Sequence, residues 1–370
     1  MDIGHIDFSA VDALLSEAVQ SGVFPGASVS IRNSTQRLHE FSVGQAEIRP
    51  RMRDVTRDTV WDLASLTKVL ATTPIAMAMV AAGDLDLDAP IQRALPDAPK
   101  GLTAAHLLTH TSGLPAWQPM QEAVSKDEAQ TEIARQKIFK VAMQAVPVGS
   151  PGSTYVYSDL GFMTLAALLE TIGGDRLDAL FERYVRAPSG VDLRWGWAEA
   201  AATEDCPYRE RVVVGEVHDL NAWLMGGVSA HAGLFGSVGA VADAAAWQLR
   251  AYRGETREGL SPSVVQRFFS AQAVGSHHLG WDGVSEGGSA GPMWPKNGVG
   301  HLAFTGCSLW LAPRQDIVVA FCSNRVHPEI EGGAVPDAPI HPRYAAFRAL
   351  RPVLHSVIVE ALGASSHWPL

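Results

Sequence analysis

Apolar residues at Phe8, Val11, Leu14, Leu15, Ala18 and Val19 recur every three or four positions, which predicts an amphipathic helix ending near Gly22. The pattern then shifts to short apolar runs. Ala27 to Ile31 and Leu38 to Val43 flank the polar Asn33-Ser34-Thr35-Gln36, and this arrangement predicts a hairpin. Leu63 to Ala82 reads as a helix with a kink or break at Pro74. Gly83 to Pro96 reads as a turn and short helix, and helical patterns punctuated by Pro and Gly continue to about residue 250. Strands return with Leu302 to Ala312 and Ile317 to Ser323, set either side of Pro313-Arg314-Gln315-Asp316, and Pro342 to Leu362 closes the chain as a long helix. Strands at both ends with helices between them imply that the ends meet in one sheet. The expected fold class is α+β, an antiparallel sheet flanked by helices with a helical lobe. Residues 1–370 are read as one unit, with a sheet lobe of about 1–60 plus 290–370 and a helical lobe of about 61–289.

Composition narrows the function classes. The chain has 370 residues, 47% of them hydrophobic, ample for a packed core. Its net charge of −10 is spread without a basic run, so neither nucleic acid nor an anionic membrane is expected as partner. Cys206, Cys307 and Cys322 are too scattered for a disulfide framework and allow at most one bridge. The start, Met1-Asp2-Ile3-Gly4-His5-Ile6-Asp7, carries acids in place of a basic leader, and no apolar stretch of signal or transmembrane length is read after it. A cytoplasmic location is expected.

The densest candidate chemistry lies in Asp62-Leu63-Ala64-Ser65-Leu66-Thr67-Lys68-Val69-Leu70. Positions i and i+3 share a helix face, so the Lys68 side chain can fold back to the Ser65 hydroxyl. Lysine is informative because the chain draws most of its positive charge from arginine: its lysines are Lys68, Lys100, Lys126, Lys137, Lys140 and Lys296. Arginine cannot release a proton at working pH, whereas a desolvated lysine can. A capping serine beside a surface lysine would give the same spacing.

Two later segments can complete a site. Tyr155-Val156-Tyr157-Ser158-Asp159-Leu160-Gly161-Phe162 can set a phenol and a polar side chain beside a nucleophile, or can be a helix start capped by Ser158 or Asp159. Gly300-His301-Leu302-Ala303-Phe304-Thr305-Gly306 opens a late strand, where a main-chain amide can face an oxyanion.

Taken in order, these segments resemble the beta-lactamase and penicillin-binding protein superfamily of serine hydrolases, in the branch of class C beta-lactamases, esterases and D-peptidases, whose pattern is S-x-x-K, Y-x-N or S-x-N, then K-T-G or H-x-G. Leu107-Leu108-Thr109-His110-Thr111-Ser112-Gly113-Leu114-Pro115, His218-Asp219, Gly226-Gly227-Val228, His231-Ala232-Gly233-Leu234-Phe235 and Asn324-Arg325-Val326-His327-Pro328 extend the similarity over nearly the whole chain. The resemblance implies a transpeptidase-like fold, Ser65 as acylated nucleophile, Lys68 as its base, and Tyr157 as proton shuttle. It places the oxyanion hole at the amides of Ser65 and Phe304, donors typically worth about 3 kcal/mol each in the transition state. A phenol beside a cationic lysine, and a lysine in a dry pocket, are both expected to have lowered pKa values. His110, His218 and His231 are expected to organise loops beneath the site.

Two departures stand out. Asp159 occupies the asparagine position of the second motif, where a carboxylate would bind Lys68 more strongly and hold it protonated. His301-Leu302-Ala303 occupies the third motif, removing the threonine hydroxyl that helps bind a substrate carboxylate and adding a methyl in place of glycine. Phe304-Thr305-Gly306 offers a shifted register. These changes favour esterase or small-peptide amidase chemistry over beta-lactam hydrolysis, with D-peptidase action on cell-wall fragments as an alternative and a binding or sensing protein without turnover as the rival. No cofactor or metal is expected: His106 and His110 lack the glutamate of a zinc-protease motif, and His277-His278 reads as a loop feature. The expected partner is a small-molecule ester, amide or peptide substrate.

Overall fold

The computed structural model describes residues 6–255, 259–270, 274–330 and 340–363. Residues 1–5 of the acidic start lie outside the described residues.

Seven strands form the main sheet: β1 Gly26–Arg32, β2 Arg37–Glu47, β3 Arg53–Asp54, β9 Asp282–Gly283, β10 Val299–Leu302, β11 Ser308–Ala312 and β12 Ile317–Ser323. They run β3-β2-β1-β12-β11-β10-β9, so the two ends of the chain meet where β1 pairs antiparallel with β12, Ala27 opposite Ser323. Strand β12 is buried throughout, and its alternation sorts its side chains into two cores. Val319 and Phe321 pack with Val11, Leu15, Phe347 and Leu354 of the terminal helices Ser9–Gln20 and Pro342–Ala361. Val318, Ala320 and Cys322 face a larger core shared with Leu66, Val69, Phe162 and Trp247. The sheet is thus covered on both faces, and the second core continues into the helices that carry the candidate chemistry.

Three expectations are corrected. The run from Leu302 to Ala312 is not one strand: Ala303 N–H donates to Cys307 O at 2.8 Å and Gly306 N–H to Ala303 O at 3.1 Å, a turn that needs the positive φ of Gly306, 112°. The middle of the chain is not purely helical. It holds a small sheet of β4 Val60–Asp62, β5 Arg194–Trp195 and β8 Leu234–Ser237, and a ribbon of β6 Asp205–Cys206 with β7 Arg211–Val212, strands too short for a periodic signal. The stretch Ala64–Ala82 is long and apolar enough to cross a membrane, with mean hydropathy 1.4, but 83% of it is buried inside the protein.

The break expected at Pro74 is present, since the stretch is divided beside it and Pro74 lies in the first turn of the α-helical part. A 3₁₀ turn Ala64–Leu66 and a π turn Lys68–Thr72 precede the α-helix Thr73–Ala82, and Thr73 N–H reaches back five residues to Lys68 O. In that register the next donor is Pro74, which has none, so the carbonyl of Val69 is left over. The buried Gln248 side chain donates to it at 3.0 Å.

Candidate active site

The strand β4 delivers the chain to Ser65 through a constrained corner. Ala64 has φ 40°, a left-handed conformation unfavourable for a side chain with a Cβ, by about 1–2 kcal/mol. Asp62 holds it there: its carboxylate accepts from Ala64 N at 2.8 Å and from His218 N at 2.5 Å. Burial pushes the Asp62 carboxyl above its ordinary pKa in spite of these donors and the nearby His218.

Lys68 lies fully buried beneath Ser65. Its ammonium donates to Ser65 Oγ at 3.1 Å, Tyr157 Oη at 2.7 Å and Asp159 Oδ1 at 2.7 Å, with the His231 carbonyl at 3.4 Å. Three N–H donors thus meet three close acceptors, the arrangement of a charged lysine. Burial lowers the Lys68 pKa, but the charges of Asp159 and Tyr157 and their hydrogen bonds outweigh it and the net direction is upward. Tyr157 also moves upward, because burial and Asp159 together exceed the lowering by Lys68 and Ser65. The lowering expected for both groups is therefore corrected, and Lys68 instead follows the effect expected of a carboxylate at position 159. Both shifts favour the ammonium form of Lys68 and the neutral phenol of Tyr157.

The second motif realises both readings open to it. Ser158 caps the helix Asp159–Gly173, accepting from Gly161 N at 3.0 Å, while Asp159 turns to Lys68. His110 fixes this segment: its Nδ1 accepts from Ser158 N at 3.0 Å, its carbonyl accepts from Val156 N at 2.9 Å, and its ring lies 4.5 Å from that of Tyr157.

In the third motif, His301 and Leu302 end β10 and line the cavity with Ala303 and Phe304. The shifted register is not the one that faces the site, since Thr305 is buried and its hydroxyl donates to Asp62 O at 2.8 Å. That bond ties the turn carrying the Phe304 amide to the corner carrying the Ser65 amide. His301 is buried, and burial, Lys68 and His277 lower its pKa to about 3.

Ser65, Tyr157, Asp159, His301, Ala303 and Phe304 all border one cavity of about 800 Å³. Residues not singled out from the sequence as part of the site share it: Tyr155, Glu204, Asp219, His277, Asp282, Arg325 and Arg351. Asp219 accepts from Ala222 N at 2.8 Å and lies 2.9 Å from His231 Nε2; burial opposes its ionisation, but His231 and these bonds hold its carboxyl well below the usual range. His277 is in a loop, as read, yet buried against the cavity. The segment from Asn324 is a strap: Asn324 bonds Gly26, Gln45 and Ala46, and His327 bonds Thr203 and Ile48.

A model of the beta-lactamase family matches residues 11–338, and the chain belongs to that family. It is 27% identical over 363 residues to a protein of Escherichia coli K12 named "Putative D-alanyl-D-alanine carboxypeptidase", covering 86% of this chain and 82% of that one. It is 27% identical over 361 residues to the N-acetylmuramyl-L-alanine amidase of Bacillus subtilis, covering 86% and 80%. The fold is shared with the hydrolase EstCE1 (TM-score 0.72, 21% identity, 93% and 98% covered) and with the octameric penicillin-binding protein homologue of Pyrococcus abyssi (TM-score 0.69, 20% identity, 94% and 77% covered). The chain is a serine hydrolase of the beta-lactamase/transpeptidase-like α+β fold.

Proposed function

We propose that the protein cleaves a small ester or peptide amide through an acyl-enzyme on Ser65. The observation that carries this is the Lys68 ammonium held between Ser65, Tyr157 and Asp159 at the floor of the cavity. Passing one proton from Lys68 to Asp159 across 2.7 Å leaves a neutral amine 3.1 Å from Ser65 Oγ. The amine takes the hydroxyl proton as the oxygen attacks the substrate carbonyl. The oxyanion forms toward the amides of Ser65 and Phe304, and Tyr157 delivers a proton to the leaving alcohol or amine as its bond to carbon breaks. Water then enters, loses a proton by the reverse route and releases the acid.

A cavity wall with Leu302 at the place of a hydroxyl favours esters and peptide amides over beta-lactams. The names of the relatives that align over 86% of the chain favour a second reading within the same chemistry, cleavage of D-alanyl or muramyl peptides.

The test is intact-protein mass spectrometry after exposure to a fluorophosphonate, for wild type, Ser65→Ala and Lys68→Ala. One adduct on wild type that is lost in both variants is expected; an unmodified wild type would favour a binding protein without turnover. Short acyl esters, D-Ala-D-Ala peptides, muramyl peptides and a chromogenic cephalosporin then rank the substrates, and rapid cephalosporin turnover would reverse the preference for esters and peptide amides over beta-lactams.

A further inference from the structure

Beside Tyr157, His277 and His301 line the cavity, and with His110 they make a cluster of three buried imidazoles in which one nitrogen of each lies within 4.8 Å of one from each of the others. Their polar atoms are not consumed by the fold. His110 Nε2, both nitrogens of His277 and His301 Nε2 are buried without a hydrogen bond. Buried polar atoms are ordinarily paired, so a cluster of unpaired ones calls for a partner.

The hydrogen bonds that these rings do make define what the cluster can hold. His301 Nδ1 lies 2.7 Å from Leu302 O and so donates to it, which leaves the lone pair on Nε2. His277 Nδ1 faces Asp282 Oδ1 at 3.8 Å, a carboxylate to which Ser276 donates at 3.3 Å, and this orients the Nε2 lone pair away from Asp282. A ring held from behind by a carbonyl, with the opposite lone pair free, is the arrangement of a metal-ligating histidine, and His301 has it; His277 has a carboxylate on its Nδ1 side, 3.8 Å away and beyond hydrogen-bond reach. His110 is different: its Nδ1 accepts from Ser158, so its Nε2 carries the proton. It offers a donor in place of a ligand.

We propose that His277 and His301 bind a divalent metal of the zinc class through Nε2, with water completing the coordination from the cavity and His110 Nε2–H donating to that water. Zinc–nitrogen bonds of roughly 2.0–2.1 Å require the two rings to close slightly around the ion. Neutral imidazoles select borderline transition metals, such as zinc, cobalt or nickel, over magnesium or calcium. The charges facing the site are mixed: the Lys68 ammonium opposes a cation, while Asp282 behind His277 and Asp159 beside Lys68 offset it. The assignment does not depend on Ser65 being a nucleophile.

The experiment is titration of the metal-free protein with zinc by calorimetry and with cobalt by visible absorption, for wild type, His277→Ala, Asp282→Asn and Asp219→Asn, with folding of each variant checked by circular dichroism. One equivalent bound to wild type is expected, with a cobalt band of low-coordinate nitrogen ligation. His277→Ala should abolish it, Asp282→Asn should weaken it about tenfold or more, and Asp219→Asn should leave it unchanged. Asp282→Asn keeps the test decisive if His277→Ala does not fold. Absence of binding to wild type, or full-strength binding in folded His277→Ala or Asp282→Asn, would overturn the assignment. Loss in Asp219→Asn alone would move the ion to the cluster of Asp159, Asp219 and His231.

Discussion

Asp159 Oδ1 stands 2.7 Å from Lys68 Nζ, as close as the oxygen of Tyr157, and together the two groups outweigh the burial that lowers the lysine's pKa. In the proposed mechanism the carboxylate then sets when Ser65 can be activated.

Replacing Asp159 by asparagine keeps an acceptor and removes the charge. With Asp159 gone, burial acts on Lys68 against the Tyr157 contribution alone, and the ammonium pKa falls. The acid limb of the acylation rate should shift to lower pH in Asp159→Asn, measured with a short acyl ester between pH 5 and pH 10. An unmoved limb would exclude Asp159 from controlling the lysine.

Asp219 supports the fold near the site in a pH-dependent way. Its folded carboxyl lies well below the ordinary range, so its stabilisation is fully present above the unfolded pKa of about 4 and is lost as the pH falls from there through the lower folded value. Asp219→Asn should lower stability at pH 7 by about 1–3 kcal/mol, and the gap to wild type should narrow below about pH 4. Urea midpoints at pH 7 and pH 3 measure both.

Gln248 does not line the cavity but pairs the carbonyl that Pro74 leaves over. Gln248→Leu should destabilise by about 1–3 kcal/mol through that unpaired carbonyl. It should also slow acylation, because the π turn that begins at Lys68 loses its brace. Urea unfolding together with the fluorophosphonate labelling rate tests this; a stable variant that labels at the wild-type rate would remove Gln248 from that role.

Gly300 precedes His301 on β10, and a Cβ there would enter the Trp310 ring and come within 2.7 Å of Leu309 O. Overpacking of this kind typically costs about 1–3 kcal/mol. Gly300→Ala should lose at least that much by urea unfolding and raise KM for esters, as the wall carrying His301 and Leu302 shifts.

The sequence by itself determined the chemistry that is local along the chain. Serine and lysine three apart on one helical face, a phenol and carboxylate before an apolar helix, and the apolar runs that became β1, β2 and β12 were all legible, because each depends on neighbours within a turn or a hairpin. The family resemblance added the order of those pieces. Only the tertiary structure decided what lies between distant segments. The resemblance already set Asp159 against Lys68, 91 positions earlier, but only the balance of burial and neighbouring charges raises both Lys68 and Tyr157 where a lowering was also expected, since charge balance in a buried site is a property of the whole shell. That Thr305 turns into the core onto Asp62, and that His277 closes against His110 and His301, depends on packing among a loop, a strand end and a helix end. No periodicity encodes such contacts, because their partners are chosen by three-dimensional proximity and by the need to pair buried polar atoms.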